Sequence, residues 1–474
     1  MTTPNAAPSS LFDKLWAQHL IHMSDAGAGL IAIDRVFLHE RTGGIALKSL
    51  RAAGRQVADP ARVFGTMDHI VDTHLGRNDD TRMPGGREFI VQTREAAKAE
   101  GVTIFDIGDK RQGIVHVVSP EQGIVLPGLT VVCPDSHTCT QGAMGALAWG
   151  IGSTEAEHAL ATRTLRINRP KTMRITVNGV LGAGVTAKDL ALTLLARHGS
   201  RGGQGHIVEF AGTAIEALEI EARLTLCNMG AELGCFSTII APDEKTFAYL
   251  EGRPYAPKGE LWDQAVAYWR TLKTDDGATF DKEIVLDASE VGPMITWGTS
   301  PQQAISIDGV VPYADEASAE IHQRAVTYMD VTPGQPVEGL KIGSAFIGSC
   351  TNSRLSDLRR AAAILKGRKV ADGVRAICVP GSGLVKEAAE AEGLDKVFIE
   401  AGFEWREPGC SMCFFAGGES FGAKERVVSS TNRNFESRQG PETRTHIASP
   451  EVVAASAIAG CLADPRKLAT LLAA

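Results

Sequence analysis

No stretch of these 474 residues comes near the ~18 consecutive apolar residues that a membrane-spanning helix needs. The longest candidate, Val452 to Ala463, is too short and is broken by Ser456 and Gly460. Positive charge is not in excess either: 48 Lys and Arg stand against 56 Asp and Glu, a net charge of −8. That balance argues against a general nucleic-acid binder or a membrane-surface protein, since both need a basic face. The opening segment, Met1 to Ser10, lacks the charged start and apolar run of a secretory leader, so a cytoplasmic setting is expected. The nine cysteines are odd in number and are not spaced as a small disulfide framework. Several common motifs are missing as well. There is no GxxxxGK[ST], HExxH or GxSxG, and Gly150-Ile151-Gly152-Ser153 lacks the third glycine of a dinucleotide fingerprint.

What is present reads as a large α/β protein, because short apolar runs alternate with longer helical stretches. Strands are predicted over Leu129 to Cys133, Lys341 to Gly348, Val374 to Val379 and, by alternation, Met173 to Val180. The first three each end in a turn: Pro134-Asp135-Ser136-His137, Ser349-Cys350-Thr351-Asn352 and Pro380-Gly381-Ser382-Gly383. Helices are predicted from about Ser353 and from about Leu384. Arg169-Pro170-Lys171 and Thr332-Pro333-Gly334-Gln335-Pro336 interrupt the chain and suggest boundaries near 170 and between 300 and 340.

The sharpest local signal is Cys410-Ser411-Met412-Cys413. A CxxC pair suits a redox disulfide, half of a structural zinc site, or an iron–sulfur cluster that takes a third thiolate from Cys350. No second CxxC or finger-like His pair accompanies it. Loops after parallel strands converge in an open α/β sheet, which favours bringing Cys350 to the pair. The other cysteines (Cys133, Cys139, Cys227, Cys235, Cys378, Cys461) sit in apolar or strand-like contexts, where cysteine fills space.

Ionisable residues cluster at the turns. Asp68-His69, His116 and Asp135-Ser136-His137 offer carboxylate–imidazole pairs, which can hold or carry a proton near neutrality. Asn228 and Glu232 are four apart and share a face if that segment is helical. Arg433 and Arg438 could grip substrate carboxylates, or stand solvated on the surface. Each feature alone is commonly structural, and together they suggest a site for an anionic small molecule.

Seven stretches carry a family likeness: QGIVHVVSPEQG (112–123), DSHTCTQGAMGALAWGIG (135–152), GGQGHIVEFAG (202–212), CNMGAELG (227–234), FIGSCTNSR (346–354), EPGCSMC (407–413) and STNRNFESRQG (430–440). With them the chain resembles the aconitase superfamily, most closely the large subunits of 3-isopropylmalate dehydratases. The resemblance implies an α/β, three-domain aconitase-like architecture with open, mostly parallel sheets flanked by helices, divided as 1–170, 171–320 and 321–474. It implies one [4Fe–4S] cluster held by Cys350, Cys410 and Cys413 with one iron left open. The catalytic pairs would be Asp68 with His69, Asp135 with His116, and Glu232 with His137. Ser136, Asn228, Arg433 and Arg438 would bind a dicarboxylic hydroxy-acid substrate. The implied activity is the interconversion of 2- and 3-isopropylmalate in leucine biosynthesis, with citraconate, 2-methylmalate or another 2-alkylmalate as the alternative substrate.

Two departures stand out. Related large subunits usually read GDSHTxTHGA, whereas here Pro134 precedes the motif and Gln141 takes the place of the second histidine. After the CxxC, FFAGGESFGAKERVVSS replaces a commoner asparagine-rich segment. The last long motif ends near Gly440, and the 34 residues that follow read as one or two helices. The resemblance therefore implies a separate small subunit, the swivelling domain, which brings a further arginine and the serine base. A reading from another class is an iron-sensing RNA binder on the same fold. Its basic patch would be Arg354, Arg359, Arg360, Lys366, Arg368 and Lys369, which read more simply as the solvated face of a helix.

Overall fold

The computed structural model describes residues 7–25, 27–316, 318–416 and 418–468. Residues 1–6 of the opening segment and residues 469–474 of the predicted tail helices lie outside the described residues. Three parallel sheets carry the architecture. The first contains β1 (Arg35–His39), β2 (Val63–Thr66), β3 (Thr103–Phe105), β4 (Thr130–Cys133) and β5 (Leu147–Gly150) in the order β3-β2-β1-β4-β5. The second contains β6 (Lys171–Asn178), β7 (His206–Ala211), β8 (Ser237–Ile239) and β9 (Lys282–Asp287) in the order β8-β7-β6-β9. The third contains β10 (Ser344–Ile347), β11 (Arg375–Cys378), β12 (Phe403–Trp405), β13 (Arg426–Ser429) and β14 (Arg444–Ile447) in the order β12-β11-β10-β13-β14. Helices flank them, and the protein is α/β as the sequence pattern predicts.

The first and third sheets share one strand order. In each, the chain winds outward in one direction from its first strand and then in the other. Each therefore has a switch point, between β1 and β4 and between β10 and β13, where the diverging loops leave a crevice at the carboxyl ends. The strands are short and buried on both faces, as in TVVC (130–133) and SAFI (344–347), which suits parallel sheets covered by helices.

Local signals set the helix limits. In Leu355–Leu365, Leu358, Ala361, Ala362 and Leu365 form the buried stripe, and the Asp357 carboxylate accepts from the Arg354 amide to start the helix. The apolar run after Val452 lies in helix Pro450–Ala459, with Ser449 as its N-cap and Gly460 left-handed (φ 69°) at its end. It is buried on all sides as a core helix, and among the described residues no helix is long and apolar enough to cross a membrane. One apolar core joins the first two sheets, through residues such as Leu147, Met173 and Val208. A second surrounds the third sheet, through Ala345, Leu358 and Val452.

Four predictions change. The strand expected over Lys341 to Gly348 is only Ser344–Ile347, because Lys341 instead bridges to Cys461. The strand expected from Met173 starts at Lys171 and pairs in register with His206 and its successors. The tail is not purely helical: Arg444–Ile447 is an edge strand ahead of the helix. The expected basic helix face is solvated only in part: Arg359, Lys366 and Lys369 are exposed, but Arg354 is not. Arg354 is 1% exposed and donates to the carbonyls of Thr351, His116 and Cys350, while Arg359 pairs with Glu392, and Arg360 with Asp357 and Glu451.

Candidate active site

Most of the predicted site residues sit past the carboxyl ends of parallel strands, where backbone donors and side chains are free of the ladder. His39 ends β1; Asp68 and His69 follow β2; Asp135, Ser136 and His137 follow β4. From the third sheet, Cys350 follows β10, Cys410 and Cys413 follow β12, and Arg433 follows β13. His116 lies on helix Val115–Glu121. The two crevices open into one cleft of about 340 Å³, lined by Asp68, His69, His116, Asp135, Ser136, His137, the three cysteines, Arg433 and Arg438.

The three carboxylate–imidazole pairs form at 2.6 Å (His69 Nδ1 to Asp68 Oδ1), 3.0 Å (His116 Nε2 to Asp135 Oδ1) and 2.8 Å (His137 Nε2 to Glu232 Oε1). They are not independent. His69 Nε2 also lies 3.1 Å from Asp135 Oδ2, so Asp68, His69, Asp135 and His116 make one chain. Asp135 accepts the His137 amide as well, at 2.7 Å. Burial alone would raise Asp135, but His116 beside it, with His137 and His69, holds it well below the usual carboxylate range. Burial likewise pulls His69 down, and Asp68, Cys410 and Asp135 outweigh it, leaving the ring well above an ordinary imidazole.

Glu232 also departs from its predicted setting. Helix Ile220–Met229 stops before it, so Asn228 and Glu232 do not share a helix face. Gly230 ends the helix where an added Cβ would lie 2.2 Å from Thr238 Cγ2. The freed turn swings Glu232 to His137 and to Arg433, whose Nε is 2.7 Å away. Arg433 Nη1 donates to Ser136 Oγ at 3.0 Å. Asn228 is fully buried behind Cys350, its amide donating to Cys350 Sγ (3.2 Å) and Thr140 Oγ1 (2.9 Å).

The cysteines converge with donors aimed at them. Asn432 Nδ2 donates to Cys350 Sγ at 3.3 Å, the Ser349 hydroxyl is 3.2 Å from Cys413 Sγ, and Arg438 Nη2 is 3.8 Å from the same sulfur. Cys410 Sγ is 3.9 Å from His69 Nδ1. Burial pushes the Cys350 thiol up to about 12, so a bound metal must displace its proton. N–H groups gathered on sulfurs suit thiolates bound to metal better than thiols filling space, and the donor set fits an iron–sulfur cluster. The backbone is strained beside these cysteines: Ser349 (φ 80°) and Ser411 (φ 48°) are left-handed without being glycine.

Sequence reasoning missed the floor of this site. His39 stacks on His69 with ring centroids 4.0 Å apart, and burial with His69 alongside lowers it to about 4. The buried Glu40 carboxylate accepts the amides of Asp68 (3.0 Å), Ile70 (2.5 Å) and Val71 (3.2 Å), which fixes the turn that carries His69. Their signal was available: His39-Glu40-Arg41 is a charged triplet directly after an apolar strand. Phe414, which Arg41 and Arg438 approach at 5.1 and 5.6 Å, had no signal beyond following Cys413.

Among solved structures, the holo form of Thermococcus kodakaraensis aconitase X is similar over 85% of this chain and 84% of its own, with 14% identity and a TM-score of 0.45. The sequence matches the profile of the Aconitase family (aconitate hydratase) over residues 13–460, most of its length, and the chain belongs to that family.

Proposed function

We propose that this chain is the large subunit of a 3-isopropylmalate dehydratase, a hydro-lyase that moves a hydroxyl between adjacent carbons of a dicarboxylic acid through an unsaturated intermediate. The observation that supports it is one cleft holding three cysteines, the linked carboxylate–imidazole chain and two arginines. Cys350, Cys410 and Cys413 would hold the [4Fe–4S] cluster, which supplies Lewis acidity toward the substrate's hydroxyl and carboxylate.

The protein's own groups do the rest. Hydroxide is a poor leaving group, so the step needs a proton. His69 faces a carboxylate with each ring nitrogen, keeps both protons, and gives one to the departing hydroxyl. Asp135 holds the negative charge that re-protonation of His69 requires, shared with His116. Arg433 and Arg438 bind substrate carboxylates, and Glu232 with Ser136 keeps the Arg433 fork in place. The carbon proton is taken by a base from the small subunit.

The test is anaerobic turnover by the cluster-reconstituted complex of a panel containing 2-isopropylmalate, shorter 2-alkylmalates, citraconate and citrate. Preferred turnover of 2-isopropylmalate is expected. Preference for citraconate or a shorter alkylmalate would overturn the substrate, and no turnover of any acid would overturn the reaction.

A further inference from the structure

Gln141 is 1% exposed in the tight turn Thr138–Met144 and does not line the cleft, yet its amide meets a ring that does. Ser119 Oγ donates its one hydroxyl proton to the Val115 carbonyl at 2.8 Å, one helical turn back. Only lone pairs remain on that oxygen, so Gln141 Nε2 is the donor in the short contact between them. The same nitrogen lies 3.3 Å from His116 Nδ1. An amide NH₂ has two protons and no lone pair to offer, so Nδ1 must accept and carries no proton. The ring proton is then on Nε2, 3.0 Å from Asp135 Oδ1. Arg354 approaches the same residue only at its main-chain carbonyl, 3.2 Å away.

The orphaned end of the amide tells the same story. Gln141 Oε1 is buried with no hydrogen-bond partner among the described residues. A buried acceptor left unpaired calls for a reason. Turning the amide over would require the Ser119 hydroxyl to give up its bond to the Val115 carbonyl and donate to the amide oxygen instead. A histidine at this position, usual in the resembling motif, can present either a proton or a lone pair to Nδ1. Gln141, as Ser119 holds it, presents only a proton.

We propose that Gln141 is a positioning residue that locks His116 in its Nε2–H tautomer and thereby keeps Asp135 an acceptor from the imidazoles on both sides of it. Its importance for turnover rests on the dehydratase reading; the tautomer itself does not. The test is ¹⁵N NMR of the full, cluster-free chain labelled at histidine, with His116 assigned from the spectrum of His116→Asn. Wild type should show an unprotonated Nδ1 and a protonated Nε2. A protonated Nδ1 in wild type would overturn the proposal without any variant having to fold. Gln141→Glu, in its ionised form, offers only acceptor oxygens, so Nδ1 should gain a proton at a pH where that carboxylate is ionised, and an unmoved Nδ1 signal there would also overturn it. In the reconstituted complex, Gln141→Glu should lower kcat roughly tenfold or more, with KM within about twofold. Unchanged kcat beside a moved Nδ1 signal would overturn the catalytic consequence. If wild type turns over none of the acids, the dehydratase reading fails while the tautomer result stands.

Discussion

His69 Nε2 lies 3.1 Å from Asp135 Oδ2, which joins two carboxylate–imidazole pairs into one chain from Asp68 to His116. The geometry makes Asp135 the shared acceptor. Asp135→Asn keeps the shape but must present an NH₂ group to one of the two rings, pushing off its proton or its position. Turnover in the reconstituted complex should fall by about 10²–10³. Asp135 touches none of the three cysteines by any hydrogen bond, so the iron–sulfur absorbance should be unchanged. A variant that keeps its spectrum and turns over within about threefold of wild type would remove Asp135 from the catalytic chain.

Much of this site was legible because turns after buried strands advertise themselves. Asp135-Ser136-His137 follows TVVC, and Cys350 follows SAFI. Long-range partnerships were not legible without the family likeness. Glu232 finds His137 across 95 positions, and no local pattern encodes that. The helical spacing of Asn228 and Glu232 misled because the helix stops at Met229, between them. Glu40 was overlooked for a related reason: its work is done on the amides of Asp68, Ile70 and Val71, and main-chain partners leave no trace in side-chain spacing. Arg354 read as solvated because helix periodicity says nothing about the residue before the first turn.

The cysteines give the most direct prediction. Cys350→Ser removes the sulfur on which Asn228 and Asn432 converge. It should abolish both the brown absorbance of the reconstituted protein and its dehydratase activity. Full activity in that variant would sink the cluster assignment. Air should likewise inactivate wild type, because an iron with no protein thiolate is exposed to oxidants, and iron with a thiol reductant under anaerobic conditions should restore it. Enzyme that stays fully active in air without added iron would contradict an open iron site.

Acid should act on the cysteine loop through Glu419. Its carboxylate takes Arg406 Nη1 at 2.6 Å and Arg375 Nη2 at 2.6 Å, tying the segment after Cys413 back to β11 and to the residue that follows β12. Burial works to raise Glu419, but Arg406 beside it, helped by Arg375, holds it at about 2 against an ordinary 4.5. A carboxyl lowered on folding contributes stability that is fully present above about 4.5 and is lost as pH falls through about 2. Glu419→Gln should therefore cost ~1–3 kcal/mol at pH 7, since it leaves the nearly buried Arg406 short of one partner. The gap between wild type and variant should shrink progressively below pH 4.5, as read by urea unfolding across that range. A gap that is constant from pH 7 to pH 3 would mean that the Glu419 charge is not what holds the loop.

The cleft is open on one side, and this carries the last prediction. Phe435 at its rim is 51% exposed and Phe415 is 37% exposed, beside the Arg41, Phe414 and Arg438 stack. Arg433 keeps 28% of its side chain in solvent although it is meant to grip a carboxylate. Electrostatic contacts of this kind gain most of their strength when water is excluded, so a wet cleft is a weak catalyst. His39, a neutral imidazole that lines the cleft, is only 2% exposed and is stacked against His69, so a base for the carbon proton would have to come from the open side. Both deficits would be met by a second polypeptide that caps the rim and brings a base of its own. The isolated chain, with its cluster reconstituted, should bind iron and show the absorbance yet turn over poorly. Adding a co-expressed small subunit should restore activity by at least about a hundredfold, with apparent stability that rises with the partner's concentration. Full turnover by the isolated chain would refute the requirement, and so would the failure of any small partner to co-purify with it.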